Sequence, residues 1–312
     1  MNVADSVSAN SLERDSEKEV GQLKDLGALK SYLDTAKMTR FQWLIIAVCG
    51  LLYIVDGFDI LVMAFTAHSI SESWGLSGSQ IGVLISCGLG GAAVGCFIVA
   101  PLGDRYGRRT VILVSLAIAS LCMISSACSG NAFQLGCLRF LTGICIGGIL
   151  TNCNVLTSEY SSSRWRSLTI CLLSTGYAVG ATLGGVLAMY VEKRLGWRIV
   201  FLIGGLMSLL SLLIAIAALP ESLYFLINRK PRNFLRKTQK IRVKLRLPEL
   251  SPIKTMHPAS KKIKGAYADL FKGDARSATV LLWIALYCLM FGFYYILTWT
   301  PKVLTNTGLS NE

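Results

Sequence analysis

Apolar residues along this chain gather into long runs separated by short charged connections. Windows of about nineteen residues place the runs near 41–65, 81–101, 110–129, 133–157, 168–191, 198–219 and 277–301. Most contain no charge or a single one over roughly twenty residues, which is the spacing a bilayer selects. Seven membrane-spanning helices are therefore predicted, and the fold class is an all-α membrane protein.

The placement of cations orients these spans. Most of the 31 Lys and Arg residues lie in the N-terminal tail, in the turn holding Arg105, Arg108 and Arg109, in the connection holding Arg164 and Arg166, and in the long sixth connection. All four lie on one side of the membrane, and the positive-inside bias puts the N-terminus in the cytoplasm. The polar first forty residues lack the short apolar core of a secretory signal, so they are expected to stay in place. The chain thus divides into a tail (1–40), a six-helix transmembrane half (41–219), a basic cytoplasmic loop (220–276) and a last helix with its flank (277–312). Within the loop, Phe234, Leu235, Ile241 and Leu245 fall near helical spacing among cations, and a basic amphipathic helix at the membrane surface is expected over 231–247.

Composition narrows the function classes. The chain is 53% hydrophobic and 16% charged, more apolar than soluble proteins at about 45–50% and about 25%. Its net charge of +13 is scattered over short connections rather than one surface, which argues against a nucleic-acid partner. All ten cysteines lie within or at the ends of apolar runs without a C-x-x-C pair, so they read as packing residues, and neither metal nor cofactor is expected. Glycines recur every four residues as Gly91 and Gly95, Gly143 and Gly147, and Gly176, Gly180 and Gly184, spacing that lets helix backbones approach closely in lipid.

Three charges lie at membrane depth, where insertion costs at least ~2.5–3.5 kcal/mol and function is the default reading. Asp56 and Asp59 are three apart in the first span and share a helix face. At ~1.5 Å per residue, Asp59 lies ~9 Å and Asp56 ~13 Å from the outer end of that span, and Arg139 of the fourth span lies ~9 Å from the same side. If the two helices are neighbours, the three charges can meet in a polar cavity. Paired carboxylates in poor solvent repel each other, an arrangement suited to carrying a proton; mutual neutralisation that merely joins helices is the alternative. A second cluster gathers at cytoplasmic helix ends: Asp104, Arg105, Arg108 and Arg109 after the second span, and Glu159 before Arg164 and Arg166. Topology alone accounts for the arginines but not for Asp104 and Glu159, so an ion-pair latch is expected there.

At these residues the chain resembles the major facilitator superfamily. Its signature between helices 2 and 3 is a Gly, three residues, then D-R-x-G-R-R, matched by Asp104-Arg105-Tyr106-Gly107-Arg108-Arg109. The Arg139-x-x-x-Gly143-x-x-x-Gly147 pattern and Leu219-Pro220-Glu221-Ser222 match as well. Ala100 stands where the signature has its first Gly, a departure expected to tighten the packing of helix 2. Asp56-Gly57-Phe58-Asp59, Glu159-Tyr160 ahead of Arg164 and Arg166, and Trp299-x-Pro301 look like the aromatic acid/proton symporter branch, although Ser161, Ser162 and Ser163 replace a Pro common there. The resemblance implies a major facilitator fold with a complete N-terminal six-helix half plus the seventh helix. It implies no enzyme but a monomeric, proton-coupled transporter of the bacterial inner membrane, carrying 4-hydroxybenzoate, protocatechuate, benzoate or related carboxylates. Asp56, Asp59 and Arg139 would couple proton to substrate. Asp104, Arg105, Gly107, Arg108, Arg109, Glu159 and Arg166 would form the cytoplasmic gate. The family has twelve helices and this chain stops after its seventh, so a fragment or a shortened reading frame is expected.

Rival classes fare less well. A seven-helix receptor would place its N-terminus outside, and a retinal pigment needs a mid-helix Lys in the last span, where Lys302 is terminal. An intramembrane serine protease is suggested by Gly75-Leu76-Ser77-Gly78, but Ser77 reads more simply as a helix cap, and no His is expected within a helix to serve as base. Among carriers, sugar pockets are rich in Gln and Asn, whereas these spans offer mainly Asn152 and Asn154 beside Arg139, which favours an organic anion.

Overall fold

The computed structural model describes residues 34–229, positions 241 and 245, and residues 275–306, and every secondary-structure element among them is helical. The helices are α1 (Arg40–Trp74), α2 (Gly78–Ile98), α3 (Leu102–Tyr106), α4 (Arg108–Ala127), α5 (Ala132–Tyr160), α6 (Ser163–Leu195), α7 (Trp197–Ala218), α8 (Leu223–Arg229) and α9 (Ala275–Asn306). Six of them, α1, α2, α4, α5, α6 and α7, are long and apolar enough to cross a membrane. The chain forms two compact units, 1–258 and 259–312, and α9 belongs to the second. The predicted amphipathic helix over 231–247 lies outside the described residues except for Ile241 and Leu245, both buried against Leu219, Leu223 and Leu226 in one apolar cluster.

Polar residues at the run ends set the helix boundaries. Thr39 caps α1 through a reciprocal box with Gln42, and Ser77 caps α2 in the same way with Gln80, each side-chain oxygen taking an orphan N–H. The first helix runs nine residues past the expected end near 65, because Thr66, Ser69, Ser71 and Ser73 are tolerated in a helix and the stop comes only at Gly75, with φ of 62°. His68, expected outside any helix, consequently lies within α1, where its exposed imidazole meets Glu72 at 3.4 Å.

Two glycine seams hold the bundle together. Side chains added at Gly91 and Gly95 of α2 would strike the backbone of α5 at Phe140 and Ile144, and ones added at Gly143 and Gly147 would strike α2 at Gly88 and Ala92. Between α1 and α6, Gly57 abuts the Tyr177 carbonyl, Gly180 abuts the Ile54 carbonyl and Gly184 abuts the Phe58 ring. Contact this close is what association in lipid requires, since burial from water does not drive it there. Helices α4 and α7 pack together behind α1 and α5. Broad apolar faces of α2 (Val83, Phe97) and α6 (Leu183, Met189) are left exposed. Along α1, Ile45 to Tyr53 belong to one apolar cluster and Phe58 to Ile70 to a second, and Asp56 falls between them.

Gly91→Ala is expected to lower the melting temperature of the detergent-solubilised protein, overpacking of this kind costing about 1–3 kcal/mol. Gly82→Ala, where a Cβ meets nothing within 4 Å, should leave it unchanged or raise it, because Ala is the better helix former by about 1 kcal/mol. Equal shifts for the two variants would exclude close backbone packing as the cause.

Candidate functional site

The interior site is assembled by four helices. Asp56 and Asp59 project from α1, Arg139 and Thr142 from α5, Met123 and Ser126 from α4, and Phe201 from α7. Asp56, Asp59 and Arg139 are each only 3% exposed. The expected meeting of the first and fourth spans' charges occurs for Asp59, whose Oδ1 lies 3.7 Å from an Arg139 guanidinium nitrogen. That separation exceeds the 2.7–2.9 Å of a charge-assisted hydrogen bond, so the pair is electrostatic and loose. The guanidinium donates instead to the Met123 thioether at 2.9 Å and to the hydroxyls of Ser126 and Thr142, both at 3.3 Å.

Asp56 is not part of that pair. Its Oδ2 is buried and has no hydrogen-bond partner among the described residues, as is also true of Asp59 Oδ1 and Arg139 Nε. Three unsatisfied polar atoms in so small a region mark a site held short of full internal pairing. All three charges are shielded from solvent, each 3% exposed, and the cavity lined by Ser79, Ser86, Cys87 and Phe140 and the one lined by Phe65, His68 and Glu192 include none of them. The Phe201 ring lies against the Arg139 guanidinium and belongs with Phe58 to one buried apolar cluster.

The second cluster lies at one end of the bundle. Gly107, at φ of 99°, turns the chain from α3 into α4 in a backbone region that favours glycine, and a Cβ there would strike the Glu221 carboxylate. The turn places Arg108 at the start of α4, 8% exposed. Arg108 bonds to Glu159 at the end of α5 and to Asp104 at 3.0 Å. Ser222 donates to the other oxygen of Glu159 at 2.6 Å, and the Arg109 N–H donates to Glu221 at 3.1 Å. The Tyr160 hydroxyl donates to the Glu221 carbonyl at 2.7 Å.

The structure therefore joins Asp104, Gly107, Arg108, Arg109 and Glu159 of the expected gate, but not all of its members. Arg105 turns away and lies over the Tyr106 ring at 5.3 Å. Arg166 pairs with Asp34 and donates to the Ser158 carbonyl at 3.2 Å, so it holds the segment before α1 against the α5–α6 turn rather than meeting Glu159. The reading of isolated residues passed over Glu221, Ser222 and Asp34 as site residues. The first two were visible only as part of the Leu219-Pro220-Glu221-Ser222 motif, and Asp34 carried no signal within a mixed-charge tail. Met123, Ser126, Thr142 and Phe201 were likewise indistinguishable from ordinary residues of apolar spans.

Known proteins align with this chain along most of its length. The 4-hydroxybenzoate transporter PcaK of Acinetobacter baylyi is 33% identical over 288 residues, covering 91% of this chain and 63% of that protein. The gallate transporter of Pseudomonas putida is 34% identical over 284 residues with the same two coverages. The niacin transporter NiaP of Acinetobacter baylyi is 30% identical over 283 residues, covering 90% of this chain and 64% of that protein. This chain thus spans a little under two thirds of the length of these relatives. Among solved structures, the proton:xylose symporter XylE superposes with a TM-score of 0.68 at 18% identity, over 86% of this chain and 64% of that one, a likeness of fold. Residues 47–311 match the Major Facilitator Superfamily, and the six-helix bundle with its charged turn between α2 and α4 accords with that match: the chain belongs to the major facilitator superfamily of membrane transporters.

Proposed function

We propose that this chain supplies the N-terminal half and seventh helix of a proton-coupled carrier for small aromatic carboxylates of the 4-hydroxybenzoate, protocatechuate or benzoate type. It acts as a monomer in the bacterial inner membrane with its N-terminus in the cytoplasm, and 220–276 links the half at 41–219 to the helix at 277–312. The observation that carries the reading is the loose, buried Asp59–Arg139 pair. A cation and an anion held apart in a dry site are stable together, and neutralising one leaves the other uncompensated. A proton arriving at Asp59 therefore leaves Arg139 in need of an anion, which a carboxylate can supply once the bundle opens. Loss of the proton restores the pair and expels the anion. Asp56, one turn away with an unpartnered oxygen, is placed to pass the proton on. The relatives' substrates, 4-hydroxybenzoate, gallate and niacin, support the aromatic class.

The cluster of Asp104, Gly107, Arg108, Arg109 and Glu159 is the cytoplasmic gate in this reading, with Arg105 and Arg166 beside it in contacts of their own. Its centre is the Arg108–Glu159 pair, whose side chains are 9% and 19% exposed, whereas Asp104 is 66% exposed and contributes little alone.

Uptake of radiolabelled benzoates, set against radiolabelled sugars, in membrane vesicles containing a full-length carrier built on this chain tests the substrate class; accumulation of sugars but not benzoates would overturn it. Asp59→Asn should abolish accumulation driven by a pH gradient while insertion into the membrane is unchanged, and normal proton-driven uptake in this variant would remove Asp59 from coupling. Arg139→Lys should raise the half-saturating substrate concentration about tenfold, equivalent to ~1.4 kcal/mol, because an ammonium cannot reproduce the planar set of contacts; an unchanged value would remove Arg139 from substrate binding. At the gate, Glu159→Gln should increase maleimide labelling of an engineered cytoplasmic-side cysteine more than Asp104→Asn does. A tenfold population change needs only ~1.4 kcal/mol, and equal labelling in wild type and both variants would reduce the charges to topology markers.

A further inference from the structure

Arg139 leans on α7 as well as on α1. Its guanidinium carbon lies 5.1 Å from the centroid of the Phe201 ring, within the ~6 Å over which an aromatic face attracts a cation. Phe201 is fully buried and is held by its own helix: Trp197, one turn earlier, meets it edge to face at 5.8 Å, and Trp197 in turn meets Trp74 at the end of α1 at 5.2 Å. Arg198 fixes the start of α7 by donating to the Ser129 carbonyl beyond α4 at 3.3 Å. The ring therefore has a defined place beside the guanidinium.

The other partners of Arg139 show what the ring is for. Met123, Ser126 and Thr142 are neutral acceptors, and Asp59 is the one carboxylate paired with it among the described residues. Of the other ionisable groups in this region, Asp56 lies one turn along α1 without a contact to Arg139, and Cys122 of α4 and Cys145 of α5 are uncharged as thiols. When a proton neutralises Asp59, the guanidinium is left in a dry site with neutral lone pairs alone. A buried cation without compensation is strongly unfavourable. The negative face of Phe201 is the remaining source of favourable potential, and such attraction is greatest where neither partner is hydrated.

We propose that Phe201 is a positioning residue of the coupling site, its ring face holding the Arg139 guanidinium in place through the part of the cycle in which Asp59 is neutral. The proposal rests on the reading of Asp59 as a proton carrier, and it separates from that reading in the test. Trifluorophenylalanine at position 201 keeps the ring's shape while emptying its negative face, and its effect on thermal unfolding of the purified protein is compared in two backgrounds. With Asp59→Asn the ring change should lower the melting temperature by about 3 °C more than it does with Asp59 intact. Equal shifts in the two backgrounds would overturn the proposal, since ring packing alone is additive. With Arg139→Gln the same ring change should have no effect, and this arm decides the matter should Asp59→Asn fail to fold. In vesicles, Phe201→Leu should reduce the maximal rate of proton-driven uptake several-fold with the half-saturating concentration unchanged, and Phe201→Tyr, which keeps the ring, should restore it. Vesicles of the unsubstituted full-length carrier without proton-driven uptake would overturn the coupling reading, while the unfolding comparison would still judge the ring contact.

Discussion

A guanidinium cannot sit out of water without compensation, and the interior of this bundle is organised around that demand. Arg139 draws Asp59 from α1, Met123 and Ser126 from α4, Thr142 from its own helix and Phe201 from α7. No single one of these satisfies it. The carboxylate stands too far for a hydrogen bond, the hydroxyls carry no charge and the ring offers only a quadrupole. Compensation is spread over one distant anion and several modest neutral partners, so a change in the charge of Asp59 is felt by the whole set.

The two charge clusters differ in a way that suits different tasks. At the end of the bundle, Arg108, Glu159, Ser222 and Asp104 make direct hydrogen bonds in partial contact with solvent, and Glu221 and Tyr160 extend the network to the segment after α7. Interactions of this kind fix helix ends in a definite arrangement. In the interior, the pair is drier but slacker, with polar atoms left unpaired. Tight contacts define a state, whereas a slack pair in a low-dielectric setting responds strongly to the gain or loss of one proton.

The fold was legible in the sequence because the bilayer restricts it so severely. Runs of apolar residues fixed the spans, charged connections fixed the turns, and glycines at intervals of four marked both seams. Asp59 and Arg139 were legible for the same reason, since a charge at membrane depth stands out from its surroundings. The end of α1 was not, because serines and threonines that look like a loop continue the helix by bonding to their own backbone, as Thr66 does to the Val62 carbonyl at 2.8 Å. The partners of Arg139 were hidden for the opposite reason. A Phe, a Met and two hydroxyls are ordinary in any span, and only their convergence on one cation distinguishes them. Arg166 was legible as a member of the charged cluster but its partner was not, because nothing in the mixed-charge tail marks Asp34 as the carboxylate that reaches it.

The glycine seams also set how this half can deform. Along each seam the two helices touch backbone to backbone, so sliding by a fraction of a turn would force a side chain into a carbonyl. Each pair, α1 with α6 and α2 with α5, is therefore a stiff two-helix strut. Asp59 belongs to the first strut and Arg139 to the second. The Asp59–Arg139 contact therefore bridges the joint between the two struts, and a change in its length would turn one strut against the other rather than shift a side chain alone.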